Sequence, residues 1–152
     1  GSGTSFHRIL DEKNTEVKHG KAKRIVMCSG KVYYDLAAAR DEAKAWDIEI
    51  LRLEQLYPFP HKSLLRRLQT TPDAELVWCQ EEPKNMGSWT FIRDFIEEVM
   101  QEIGTRQQHL NYAGRAAAAS PATGSLVRHN REQDALVIEA LGPLATVKKR
   151  NK

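Results

Sequence analysis

The chain has 152 residues, the size of one domain, long enough to bury roughly 70% of the surface its unfolded form would expose. Hydrophobic residues make up 41% and charged residues 28%, which excludes the composition of a disordered chain, and no apolar run approaches the ~20 residues of a membrane span or the layout of a signal peptide. Net charge is +3, but Lys148, Lys149, Arg150 and Lys152 crowd the last five residues and leave 19 basic against 20 acidic groups elsewhere, so no basic nucleic-acid-binding face is indicated.

Residues 1–23 hold no sustained period and read as a lead-in segment. Arg24–Cys28 is a short, partly β-branched run stopped by Ser29-Gly30, the pattern of a buried strand ending in a turn. Val32, Leu36, Ala39, Ala43 and Trp46 then recur at three and four, which predicts a helix over 32–46. A second strand falls within 47–56, with Ile48, Ile50, Leu51 and Leu53, and ends where Pro58 and Pro60 remove backbone donors. A short helix is predicted over 62–69, and Pro72-Asp73 resets the chain before a third strand over 75–80. The clearest helical stripe is Trp89, Ile92, Ile96, Val99 and Ile103, with Ser88 as the expected cap and Gly104 as its close. A weaker strand over 109–112 is interrupted by Gly114. The final helix is expected to start around 122–124, and its stripe of Leu126, Asn130, Gln133, Val137, Ala140 and Leu141 is polar in the middle, which points to a polar contact or an interface. The alternation predicts an α/β fold, a three-layer sandwich with a mainly parallel sheet and helices on both faces, over 24–142, followed by a basic tail over 143–152.

Ser29-Gly30-Lys31 lies between strand and helix, where free helix amides and a lysine can hold phosphate or carboxylate. It has neither the Walker loop nor the three glycines of a dinucleotide fingerprint, and a plain turn glycine is the favoured reading. The run from Tyr112 to Gly124 offers Arg115 with Ser120 and Thr123, which can clamp an anion or pack into a partner; tight loop packing with the hydroxyls as caps stands level with it. Glu81-Glu82-Pro83 follows the third strand, and a role in positioning neighbouring elements is favoured over acid/base work, because adjacent side chains point apart. The five histidines are dispersed and no metal site is expected. Cys28 and Cys79 sit in apolar runs and read as buried structural thiols of a reducing compartment, ahead of a nucleophilic role for Cys28.

Four ordered stretches, Arg24 to Leu36, Leu53 to Pro60, Cys79 to Gly87 and Tyr112 to Gly124, together resemble the C-terminal domain of the dehydrogenase component of the 2-oxoglutarate dehydrogenase complex, over about residues 3–142. Thr4 to Leu10 is similar to the segment that enters this domain from the preceding one, so the chain is expected to be a fragment. The resemblance implies the C-terminal fold of transketolase-like enzymes. It implies a dimeric parent enzyme that uses thiamine diphosphate and magnesium to decarboxylate 2-oxoglutarate and passes the succinyl group to the lipoyl arm of the second, succinyltransferase component. It also implies a cytoplasmic protein, or one of the mitochondrial matrix in a eukaryote.

The family's Gly-Asp-Gly cofactor motif and its paired asparagines are not found in this sequence, so the chain alone is expected to hold no cofactor, to contain no catalytic residue and to lack decarboxylase activity. Its expected partners are the remaining domains of the same enzyme and the homodimer partner, with neither nucleic acid nor membrane. An alternative implied by some relatives is an effector module for acetyl-CoA or a nucleotide, for which Ser29, Lys31 and Arg115 are the residues to test for phosphate contact. The basic tail departs from the family pattern.

Overall fold

A computed structural model describes residues 9–10, 12–117 and 126–143. Along the chain these form β1 (Ile9–Leu10), β2 (Arg24–Cys28), α1 (Val32–Glu42), β3 (Ile48–Leu53), α2 (His61–Leu68), β4 (Glu75–Pro83), α3 (Trp89–Ile103), β5 (Asn111–Arg115) and α4 (Leu126–Leu141). The sheet order is β1-β3-β2-β4-β5. β1 is antiparallel to β3, and the other four strands are parallel, with Val26 opposite both Ile50 and Val77. Buried sheets of this kind present apolar side chains to both faces, which is why β2, β3 and β4 read as nearly continuous apolar runs. On one face Val26, Cys28, Ile48, Ile50, Val77, Cys79 and Ala113 pack against Leu36 of α1 and Leu136, Ala140 and Leu141 of α4. On the other, Ile25, Met27, Leu51, Leu53, Leu76 and Trp78 pack against Leu64 and Leu68 of α2 and Ile92, Ile96 and Val99 of α3. The expected three-layer α/β sandwich with a mainly parallel sheet is therefore the observed one.

Several local expectations are corrected. The first helix ends at Glu42, not at Trp46: Lys44 takes a left-handed conformation (φ 53°) and the Ala45 N–H returns to the Arg40 carbonyl at 3.1 Å, turning the chain toward β3 while keeping Ala43 and Ala45 buried. The fourth parallel strand runs to Arg115 and includes Gly114. A Cβ at that position would lie 2.7 Å from the Gln80 carbonyl oxygen and 2.7 Å from the Tyr112 hydroxyl, so the glycine permits close strand approach and does not break the strand. Ser88 makes no side-chain capping bond; the first amide of α3, on Trp89, donates instead to Gln80 Oε1 at 2.9 Å. Gly104, in the left-handed region, closes α3 as expected. The expected helix start at 122–124 and the basic tail from 144 onward lie outside the described residues.

Part of the lead-in segment belongs to the sandwich. Ile9 and Leu10 pair with Leu53 and Arg52 on the sheet edge, and the Glu12 carboxylate accepts from Arg40 Nη1 at 3.0 Å, Arg40 Nη2 at 2.6 Å and the Ile50 N–H at 3.0 Å. Arg40 is 1% exposed and also donates to the Ile48 carbonyl, so this pair is a buried bolt between α1, β3 and the entering chain. At the amino end of the central strand β2, Arg24 donates to the Ala140 carbonyl at 3.1 Å and pairs with Glu75 at 3.0 Å. Gly142 lies so close over that guanidinium that a Cβ would meet it at 2.8 Å.

Candidate functional site

α1 lies on one face of the sheet, whereas α2 and α3 lie on the other. The chain therefore leaves the carboxyl ends of the adjacent strands β2 and β4 in opposite directions, the switch point beside which open α/β sheets place their ligand crevices. Three of the five residues singled out from the sequence, Ser29, Lys31 and Arg115, gather at this carboxyl edge; Ser120 and Thr123 lie outside the described residues.

Gly30, at φ 84°, makes the turn that brings the chain from β2 into α1. Lys31 is the N-cap of α1 without a side-chain capping bond, and its ammonium reaches across to Glu81 Oε1 at 2.8 Å. That hydrogen bond and the Glu81 charge raise the Lys31 pKa, so the ammonium stays protonated at neutral pH although the side chain is 82% exposed. The Gly30 N–H faces Glu54 Oε2 at 3.4 Å.

Arg115 reaches Glu81 from the other side. It donates to the Glu81 carbonyl at 2.7 Å, to Glu132 Oε1 at 3.2 Å, to Gln133 Oε1 at 3.1 Å and to the His129 carbonyl at 3.3 Å. Gln133 in turn donates to Asp35 Oδ2 at 2.9 Å. Arg115 is thus a clamp joining β4, β5 and α4, and the polar middle of the last helix is explained by a contact within the chain. Its donors already face protein acceptors, which leaves Lys31 as the outward-facing cation of this pair.

Glu81, Glu82 and Pro83 are the last residues of β4 and not a loop after a strand ending at Gln80. Glu81 is held by Lys31 while Glu82 is exposed, consistent with alternation along a strand and with a positioning role. The organiser of the following turn is Gln80. Its Oε1 accepts from Trp78 Nε1 and from the Trp89 N–H, both at 2.9 Å; its Nε2 donates to the carbonyls of Glu82, Pro83 and Met86 at 3.1, 3.0 and 2.8 Å. Tyr112 supports the same turn, with its ring 5.0 Å from that of Trp89 and its hydroxyl donating to the Arg115 carbonyl at 2.7 Å. Burial pushes the Tyr112 pKa up to about 12, which keeps that donor protonated.

Cys28 and Cys79 are opposite one another in register, both buried and both free. Burial raises the pKa of both thiols, that of Cys79 to about 12, so neither supplies a thiolate at neutral pH. The described histidines are scattered as expected: His61 pairs with Glu102, His19 with Arg67, His109 with Glu97, and His129 lies by Arg115. Among the described residues no group of three or more His, Cys, Asp or Glu side chains gathers as a metal site, and no helix is long and apolar enough to cross a membrane.

The sequence reading missed Gln80, the Glu12–Arg40 bolt and Arg52. Gln80 and Arg52 carried a faint signal, since Gln80 follows the continuous apolar run of β4 and Arg52 falls in phase with the buried Ile48 and Ile50.

The family described as 2-oxoglutarate dehydrogenase C-terminal matches residues 1–141. Proteins named 2-oxoglutarate dehydrogenase E1 component from Brucella anthropi, Brucella ovis and Brucella canis are each 48% identical to the chain over 147 residues, covering 91% of it. The chain spans 15% of the length of these relatives.

Proposed function

The chain belongs to the 2-oxoglutarate dehydrogenase C-terminal family, and on that premise we propose that it is the scaffold domain of a larger enzyme that decarboxylates 2-oxoglutarate and hands the succinyl group to the lipoyl arm of a succinyltransferase component. Thiamine diphosphate with magnesium supplies the carbanion chemistry in that parent. The described residues bring no set of magnesium-ligating side chains together, so no residue of this chain is assigned to hold the cofactor and no step is derived through it. The parent acts in the cytoplasm as a homodimer, and this domain holds the shape of the dimer's active-site region.

The observation that carries the reading is the construction of the carboxyl edge. Each of the four stretches that carry the resemblance places residues in internal structure there: Gly30 in a turn, Pro58 and Pro60 at the exit of β3, Gln80 as the hub of the β4–α3 turn, and Arg115 as the clamp onto α4. Such an edge is held by contacts within the chain and presents shaped loops to a neighbour, which is what a domain packed against the rest of its enzyme needs.

The test has two parts. Supplied with 2-oxoglutarate, thiamine diphosphate and magnesium, this chain is expected to release no carbon dioxide above background. The parent enzyme lacking the domain is expected to lose both dimer, by sedimentation, and turnover. Steady decarboxylation by the chain alone, or a truncated parent that remains a fully active dimer, would overturn the proposal.

A further inference from the structure

The core between the sheet and α2 and α3 is not closed at the carboxyl edge. Leu56 and Phe59, from the loop that leaves β3, and Phe91, in the first turn of α3, are only half-buried against it, and Ile9 of β1 belongs to the same fringe. From this fringe the aromatic rings continue outward in an unbroken row. Centre to centre, Tyr57 lies 4.5 Å from Phe91, Phe91 lies 5.1 Å from Phe95, and Phe95 lies 5.2 Å from Phe59. Tyr57 is 71% exposed and Phe95 38%, although phenylalanine is among the residues most often buried. The rim is charged, since Asp94 and Glu98 line a shallow groove of about 370 Å³ together with Phe95. A contiguous apolar surface inside a polar rim marks a contact face, and tyrosine and phenylalanine are enriched at the centres of such faces.

Two observations select the occupant. β1 is antiparallel to β3, with Ile9 opposite Leu53 and Leu10 opposite Arg52, so the polypeptide reaches residue 9 from the side toward which β3 leaves, beside the loop that carries Tyr57 and Phe59. The chain spans 15% of the length of its relatives and matches a family described as C-terminal, so in those proteins the bulk of the polypeptide comes before this domain. We propose that the row of Tyr57, Phe91, Phe95 and Phe59 is the seat of the domain that precedes β1 in the same polypeptide, which meets it with an apolar patch flanked by Lys or Arg opposite Asp94 and Glu98. The inference rests on the scaffold reading and gives it a surface and a partner. The contact is made within one chain and not between the two subunits. Because the seat lies beside the point of entry, the connection is short and the effective concentration of the two faces is high, so a small patch is enough to hold them together.

The experiment places a photoreactive benzophenone amino acid in the parent enzyme at the position of Tyr57, where an exposed ring replaces an exposed ring and the fold is not threatened. A control preparation carries it at Asp73, exposed ahead of β4 at the other end of the sheet. Irradiation at position 57 is expected to give a product of one-chain mass whose cross-linked peptide comes from the polypeptide ahead of residue 9, well above the yield from position 73. A product of two-chain mass, capture confined to this domain, or a yield no greater than that of the control would overturn the proposal. A second readout needs no substitution. Phe95 is expected to be protected from hydroxyl-radical oxidation on the order of tenfold in the parent relative to the isolated chain, because the centre of a packed face excludes water. Equal oxidation in the two would likewise overturn it. The scaffold reading fails separately, through a parent that stays an active dimer without the domain.

Discussion

Replacing Gln80 by leucine tests whether one side chain fixes the turn between β4 and α3. The amide is buried and leucine fills much of its volume, so the perturbation is chiefly the loss of five hydrogen bonds. Two of those losses strand donors with no access to water. Trp78, 1% exposed, would hold an unpaired indole N–H, and the Trp89 amide would lose its acceptor at the buried start of α3. Each buried unsatisfied donor costs about 1–3 kcal/mol. The carbonyls of Glu82, Pro83 and Met86 lie nearer the surface and recover much of their loss from water. The expected destabilisation is therefore about 3–5 kcal/mol, a large share of the 5–15 kcal/mol typical of a domain. Urea unfolding followed by tryptophan fluorescence measures it, because Trp78 and Trp89 flank the site. A Gln80→Leu variant within about 1 kcal/mol of wild type would refute the hub argument. Gln80→Glu sharpens the test: it keeps an acceptor but buries a carboxylate, whose pKa burial must raise. Its stability is expected to fall as pH rises through that raised value and to recover on acidification, a dependence absent from Gln80→Leu.

Three further outcomes follow from contacts described above. Glu12→Gln leaves the buried Arg40 only the half-exposed Asp41, at 2.7 Å, as countercharge and is expected to cost about 2–3 kcal/mol in denaturant unfolding, although residue 12 lies outside the predicted folded region; a loss under about 1 kcal/mol would mean the bolt is idle. Gly114→Ala drives a Cβ to 2.7 Å from the Gln80 carbonyl oxygen, so β5 is expected to separate from β4, read as faster amide exchange at Asn111–Arg115 with slower change at β2. The raised pKa of Tyr112 makes a pH prediction. Its neutral form is favoured by folding, so this contribution is complete below the unfolded value near 10.0 and is lost as pH rises toward about 12. Tyr112→Phe is therefore expected to flatten the fall in stability across that window, and an unchanged slope would show that the ring is not shielded.

Burial was legible in the sequence because it is written one element at a time. The runs at β2, β3 and β4 are apolar on both faces of a covered sheet, and the stripe from Trp89 to Val99 fills the underside of α3. Polar pairing across elements left almost no local trace. Glu12 finds Arg40 across 28 residues, Lys31 and Arg115 meet on Glu81 from widely separated positions, and the amide that Ser88 was expected to cap is taken by Gln80. The same gap explains the other misses. The periodicity of α1 runs on through Ala43 to Trp46 although Lys44 has already turned the backbone, and Gly114 looks like a breaker until the neighbouring strand is known. Arg52 carries the alternation of β3 correctly but looks, as a residue type, like surface.

The antiparallel entry of β1 and the closure of α4 over Arg24 have a mechanical consequence. Ile9 lies at the level of Leu53, at the carboxyl edge, whereas Gly142 rests on Arg24 at the amino edge. A force between these two points acts along the strands, in shear, so the ladder bonds are loaded together instead of being peeled one after another. The two-residue β1 ladder is the weakest link in that line, and the Glu12–Arg40 pair is the next contact to take the strain. The domain is in that sense a strut, stiff along the direction in which its chain passes through it.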